Sequence, residues 1–94
     1  MTYWVYILRC ADGSFYTGIA ADVERRFREH CAGRGAKYTR SHPPEAIVYR
    51  EEAGDRGSAL RRESAIKKLS HAEKEALTGC GLPSAGKSVI LPAE

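Results

Sequence analysis

The sequence predicts a small α+β domain. Three observations carry that reading: two aromatic and β-branched runs joined by a turn signal, a third such run at Ala46 to Glu51, and amphipathic segments with capping residues around them. A chain of 94 residues has room for one domain and one modest core, and no internal repeat or interior linker divides it.

Tyr3 to Cys10 and Phe15 to Ala20 have the composition of strands, and Ala11-Asp12-Gly13-Ser14 between them is a hairpin signal. Parity decides the loop length. A two-residue Asp12-Gly13 turn would group Val5 and Ile7 with Tyr16 and send Phe15 and Ile19 to the other face. A three-residue loop, Ala11-Asp12-Gly13 with Gly13 left-handed in a bulge, instead gathers Val5, Ile7, Phe15 and Ile19 on one buried face. Tyr6, Leu8 and Tyr16 then share the opposite face. This register gives the cleaner core and is the one expected.

Asp22 can cap a helix from Val23 to about Cys31, ended by Gly33. Ala32 to Pro44 reads as a polar, basic loop, and Ala46 to Glu51 as the third strand. Asp55 or Ser58 starts a helix running to about Leu69. Ser70 with Glu73 has capping-box spacing and begins a short helix ending before Gly79. Gly, Pro and Ser dominate from there, so the domain is expected over residues 1–80 and a flexible tail over residues 81–94.

Composition narrows the function classes. Lys and Arg exceed Asp and Glu by 15 to 12, a formal charge of +3 that permits nucleic acid as a partner without pointing to it. Cys10, Cys31 and Cys80 are odd in number and far apart, which argues against a disulfide framework or a zinc cage and fits a reducing cytoplasm. The start of the chain has no basic stretch followed by a long apolar run, so neither secretion nor a membrane partner is indicated.

Two groups of residues suggest chemistry. Val23, Arg26, Phe27 and His30 are spaced to share one helix face, and Val23 with Phe27 must point at the core. Arg26 and His30 are thereby drawn toward the sheet. Either Arg26 snorkels along the core edge while His30 caps the helix, or a rigid guanidinium stands ready to clamp a phosphate. On the later helix, with Leu60, Ile66 and Leu69 inward, Glu63 falls on the apolar face. An inward carboxylate needs a partner, either Arg26 as an ion pair or a Mg²⁺ ion that keeps several of its waters. Tyr6 and Tyr16 become neighbours in the expected register. A phenol with an ordinary pKa near ~10 serves as a base only beside positive charge, so packing is the alternative for both.

Lys37, Tyr38, Arg40 and His42 combine cations with a ring in a Gly-rich loop, which suits a nucleic-acid backbone with one stacked base or simply a solvated basic loop. Gly81 to Ser88 satisfies Gly-x4-Gly-Lys-Ser, the phosphate-loop pattern. The physics of that loop needs a buried strand before it and a helix after it. Here a helix precedes and six residues follow Ser88, so no nucleotide is expected there.

Taken together, the residues resemble the GIY-YIG nuclease superfamily, in particular its small stand-alone bacterial members. The first motif is Trp4-Val5-Tyr6 and the second Tyr16-Thr17-Gly18; Arg26 and His30 lie on a segment similar to the family's arginine helix, and Glu63 in a segment similar to its metal-binding helix. The resemblance runs from residue 2 to about residue 78. It implies a three-stranded antiparallel sheet flanked by helices, and phosphodiester hydrolysis dependent on one divalent ion, Mg²⁺ or Mn²⁺. It further implies Tyr6 as the base, Tyr16 orienting water and phosphate, Arg26 stabilising charge, His30 assisting proton transfer, Glu63 holding the metal, and Gly18 allowing close approach. Trp4, Val5 and Thr17 depart from the usual motif residues at positions that carry no chemistry. Several members also use a late Asn, and this chain contains none. The substrate implied is DNA, cut in a structure-sensitive or weakly sequence-specific way, with RNA compatible with the same chemistry. A non-catalytic nucleic-acid-binding module, or an interaction domain for repair machinery, are alternatives on the same fold.

Overall fold

The computed structural model describes residues 2–78. The elements run β1 (Tyr3–Cys10), β2 (Phe15–Ala20), α1 (Val23–Cys31), α2 (Lys37–Ser41), β3 (Pro44–Gly54), α3 (Arg56–Lys67) and α4 (His71–Thr78). The three strands form one antiparallel sheet in the order β2-β1-β3, so β1 is central and the fold is α+β as expected. The tail from Gly81, with its phosphate-loop pattern, lies outside the described residues.

The hairpin adopts the three-residue loop. Cys10 N–H donates to Ser14 O at 2.8 Å and Gly13 N–H to Cys10 O at 2.9 Å, with Gly13 at φ +87°. A side chain there would be strained in the left-handed region, which is why the turn takes glycine. Arg9 pairs with Phe15, Val5 with Ile19 and Tyr6 with Gly18. One face of the sheet buries Val5 and Ile7 with Ala59 and Ile66, and packs Phe15 and Ile19 against them. The other buries Tyr6 and Leu8 with Val23, flanked by Tyr16 and Phe27. The sheet is thus covered on both sides, by α3 with α4 on one and α1 on the other.

The helix ends follow their caps. Asp22 accepts from Arg25 N–H at 3.0 Å, and Asp55 rather than Ser58 caps α3, accepting from Ser58 N–H at 2.8 Å. Ser70 and Glu73 close a reciprocal capping box, Ser70 N–H to Glu73 Oε1 at 2.8 Å and Glu73 N–H to Ser70 Oγ at 3.1 Å. The end of α1 is a Schellman turn: Arg34 N–H donates to Glu29 O and Gly33 N–H to His30 O, with Gly33 at φ +80°.

Three expectations are corrected. The segment after α1 is not all loop, because Lys37–Ser41 forms one helical turn held by the buried Thr39. The third strand is longer than Ala46 to Glu51. It runs from Pro44 to Gly54, because β1 offers partners out to Tyr3 and register shifts let it follow the sheet's twist. On α3, Leu60 is exposed (39%) and the fully buried residues are Ala59 and Ile66. The small Ala59 lets the helix approach the sheet closely and rotates the inward stripe by one residue.

Thr17 is 3% exposed, and its hydroxyl has no hydrogen-bond partner among the described residues. A buried, unpaired hydroxyl costs about 1–3 kcal/mol. This departure from the motif therefore has a stability cost even though it carries no chemistry. Thr17→Val is expected to raise unfolding free energy by about 1 kcal/mol in urea melts, since it keeps the shape and removes the polar atom. An unchanged or lowered midpoint would show that the hydroxyl is satisfied in solution.

Candidate active site

Tyr6, Tyr16, Arg26 and His30 come together where α1 crosses the face of β1 and β2, whereas Glu63 stands on α3, which covers the other face. Tyr6 projects from the central strand and is 1% exposed. Its strand partner is Gly18, where an added Cβ would lie 2.7 Å from the Tyr6 hydroxyl and 3.1 Å from Cε2 of Tyr16. The missing side chain lets the Tyr6 ring lean across edge strand β2 and deliver its hydroxyl there. Gly18 thus serves ring packing within the sheet, which is a different close approach from the strand-to-helix one expected.

His30 is 1% exposed and does not cap the helix end. Its Nε2 lies 2.9 Å from the Tyr6 hydroxyl oxygen, and its Nδ1 lies 2.8 Å from Thr39 Oγ1. The Tyr16 ring centroid is 5.1 Å from that of His30 and 6.4 Å from that of Tyr6. Arg26, its side chain 38% exposed, donates through Nη1 to Glu29 Oε1 at 2.9 Å, and its guanidinium also faces the Tyr6 hydroxyl. The expected alternative of an Arg26–Glu63 ion pair does not form. Glu63, 17% exposed, lies 3.4 Å from Lys67 on its own helix.

Electrostatics sets what these groups can do. Burial, and to a smaller degree the neighbouring Tyr16, pushes the Tyr6 phenol well above its ordinary value; Arg26 pulls the other way and the Glu63 charge adds to the rise. The Glu63 contribution is the smallest of these, and its helix covers the face of the sheet opposite Tyr6. Burial also lowers the His30 pKa from its ordinary 6.5, with Arg26 adding to the fall and Glu29 opposing it. His30 is therefore neutral at pH 7.

That depression has a sign in stability. Above 6.5 both folded and unfolded chains carry a neutral imidazole and the group contributes nothing. As pH falls below that value the unfolded chain takes up the proton first, so stability falls. The melting temperature is expected to drop between about pH 7 and about pH 5, with the His30 NMR titration centred below 6.5. A His30 midpoint above 6.5 would contradict the burial argument.

Tyr38 and His42 form a second group beside the first. The Tyr38 ring stacks on His42 at 4.1 Å and 7° and lies 6.1 Å from Tyr16 at 22°. Lys37 and Arg40 sit exposed on the same helical turn. The structure thus aligns Tyr38 and His42 with Tyr16, an arrangement not evident in a segment read as loop. Sequence reasoning also missed Thr39 and Gly35. An added Cβ at Gly35 would lie 2.0 Å from His30 Nδ1, so only glycine lets the chain pass this close to the ring. The spacing of Gly33 and Gly35 was the available signal.

Among the described residues no three His, Cys, Asp or Glu side chains gather as a metal cluster. A single half-buried carboxylate, Glu63, fits an ion that keeps most of its waters and takes further oxygens from a phosphate, as Mg²⁺ does. It does not fit an all-protein cage.

The chain belongs to the GIY-YIG family, a superfamily of nucleases, whose catalytic domain matches residues 2–76. It is 51% identical over 73 residues to the UPF0213 protein VNG_2274C of Halobacterium salinarum, covering 78% of this chain and 95% of that one. It is 49% identical over 75 residues to the UPF0213 protein NP_0776A of Natronomonas pharaonis, covering 80% and 88%. Among solved structures, the UPF0213 protein BH0048 from Bacillus halodurans matches with a TM-score of 0.54 at 40% identity, over 96% of this chain and 100% of that one. No helix among the described residues is long and apolar enough to cross a membrane.

Proposed function

We propose that the protein is a metal-dependent endonuclease that hydrolyses phosphodiester bonds in DNA, structure-sensitive or weakly specific for sequence. The observation that carries this reading is the hydrogen bond between Tyr6 and a neutral, buried His30, with the Arg26 guanidinium beside the same phenol. A phenol whose pKa lies above its ordinary value does not act as a standing phenolate at pH 7. It can take a proton from water only while passing its own to a neighbour, and His30 Nε2 is that neighbour at 2.9 Å.

In this mechanism the water oxygen attacks phosphorus, its proton goes to Tyr6 and the Tyr6 proton to His30. The bond to the leaving oxygen breaks with the electron pair staying on that oxygen, which takes a proton from solvent, and His30 then returns its own to solvent. Arg26 offsets the charge that develops on the phosphate. Tyr16 orients water and phosphate. Glu63 would hold one Mg²⁺ or Mn²⁺, which when bound supplies Lewis-acid charge to the phosphate. Tyr38 and His42 offer ring faces to a base, with Lys37 and Arg40 for the backbone.

Branched, single-stranded and duplex DNA incubated with the purified protein should be cut in Mg²⁺ or Mn²⁺ and left intact in EDTA. Binding without cutting in either metal would make the protein a nucleic-acid-binding module of this fold.

A further inference from the structure

Heavy-atom distances alone do not say which His30 nitrogen carries the proton, but the surrounding bonds do. The Thr39 hydroxyl has one proton, and Oγ1 lies 2.8 Å from the Ala36 carbonyl oxygen, to which it donates. Its oxygen then accepts at His30, which requires a proton on Nδ1, 2.8 Å away. Nε2 is left bare to accept the Tyr6 O–H.

One contact argues the other way. The Ala36 backbone N–H points at Nδ1 from 3.3 Å, which would favour a bare Nδ1 and a proton on Nε2. In that arrangement the Tyr6 O–H loses its only acceptor among the described residues, inside a site where Tyr6 is 1% exposed. Stranding a buried phenol costs more than weakening a long bond from a half-buried backbone amide.

We infer that Thr39 is a positioning residue that holds His30 as the Nδ1–H tautomer and so keeps Nε2 free for the Tyr6 proton, with Gly35 leaving the space in which that contact forms. Its catalytic significance rests on the nuclease reading above; the tautomer itself does not. Thr39 is 2% exposed, on a helical turn of five residues that lacks a side-chain N-cap. The turn is held in place by the buried bond that also sets the tautomer. An imidazole protonated on Nε2 would present N–H to the phenol oxygen and could not take its proton.

Long-range ¹⁵N spectra of the histidine rings at neutral pH read the tautomer directly. Wild type and Thr39→Ser should both carry the His30 proton on Nδ1. Thr39→Val should move it to Nε2, since the Ala36 N–H is then the partner left to Nδ1. The single-turnover cleavage rate of Thr39→Val at saturating DNA should fall on the order of 10²-fold, and serine should restore it. A wild-type proton on Nε2 overturns the assignment, as does a valine variant that keeps Nδ1–H. A valine variant that switches tautomer yet cuts at the wild-type rate overturns the positioning role. If valine prevents folding, the wild-type and serine spectra still decide. Absent cleavage with the Nδ1–H tautomer intact would count against the nuclease reading alone.

Discussion

Glu63→Ala is expected to abolish metal-dependent cleavage and leave DNA affinity unchanged or slightly higher. The substitution removes the half-buried carboxylate that fits the ion, and with it one negative charge from a site meant for phosphate. Arg26→Ala should lower both cleavage and affinity, because a guanidinium contacts the phosphate before as well as during reaction. Loss of one preorganised charge-stabilising group lowers rates on the order of 10²–10³-fold. Folding is a smaller concern than an Arg26–Glu63 pair would have made it, since Arg26 is paired with exposed-side Glu29 and Glu63 with Lys67. Circular dichroism and single-turnover assays on both variants check this. Equal residual nicking by wild type and Glu63→Ala would assign the cutting to a contaminant and favour the binding-module reading.

Among the described glycines, Gly35→Ala should have the largest effect. The new carbon would sit 2.0 Å from His30 Nδ1 and 2.7 Å from two further ring atoms. Neither can yield cheaply, because His30 is buried and bonded at both nitrogens. Overpacking of this kind costs about 1–3 kcal/mol. At roughly 4–8 °C per kcal/mol for a domain of this size, the melting temperature should fall by roughly 5–20 °C. Cleavage should fall on the order of 10²-fold as the ring leaves Tyr6. Gly33→Ala is the control. Its Cβ would meet nothing within 4 Å, so only the φ of +80° opposes it. It should cost about 1 kcal/mol and leave cleavage unchanged. If Gly35→Ala melts and cuts like wild type, the segment is loose enough to move off His30.

The hairpin register was legible because strand side chains alternate with a strict period of two and both faces are covered. Phe15 and Ile19 could join Val5 and Ile7 in only one loop length. Capping residues likewise marked α1, α3 and α4 to within a residue or two. What misled was spacing and composition. Helical spacing with Ile66 and Leu69 puts Leu60 inward, but α3 lies against the sheet through Ala59, whose lack of bulk permits the approach. Lys37–Ser41 lies in a polar, basic, Gly-rich stretch whose composition signals loop; a bond from Thr39 to His30, nine positions back, fixes it as a helical turn. The nearness of Tyr6, Tyr16, Arg26 and His30 was legible from the hairpin register and the shared helix face, whereas grouping Glu63 with them rests on the family resemblance alone. The partners of Arg26 and His30 were not legible, because side-chain pairing across elements is set by packing that no local pattern encodes.

The covering of the sheet on both sides bears on how the chain comes into being. Tyr6, Tyr16, Arg26 and His30 all precede β3, whereas Glu63 arrives on α3 against the opposite face. Under the nuclease reading, a chain leaving the ribosome carries its phosphate-binding and proton-handling groups first and its metal carboxylate last. Cutting power therefore switches on only when α3 docks. Under the same reading, a molecule in which α3 has not docked lacks its metal carboxylate and is latent.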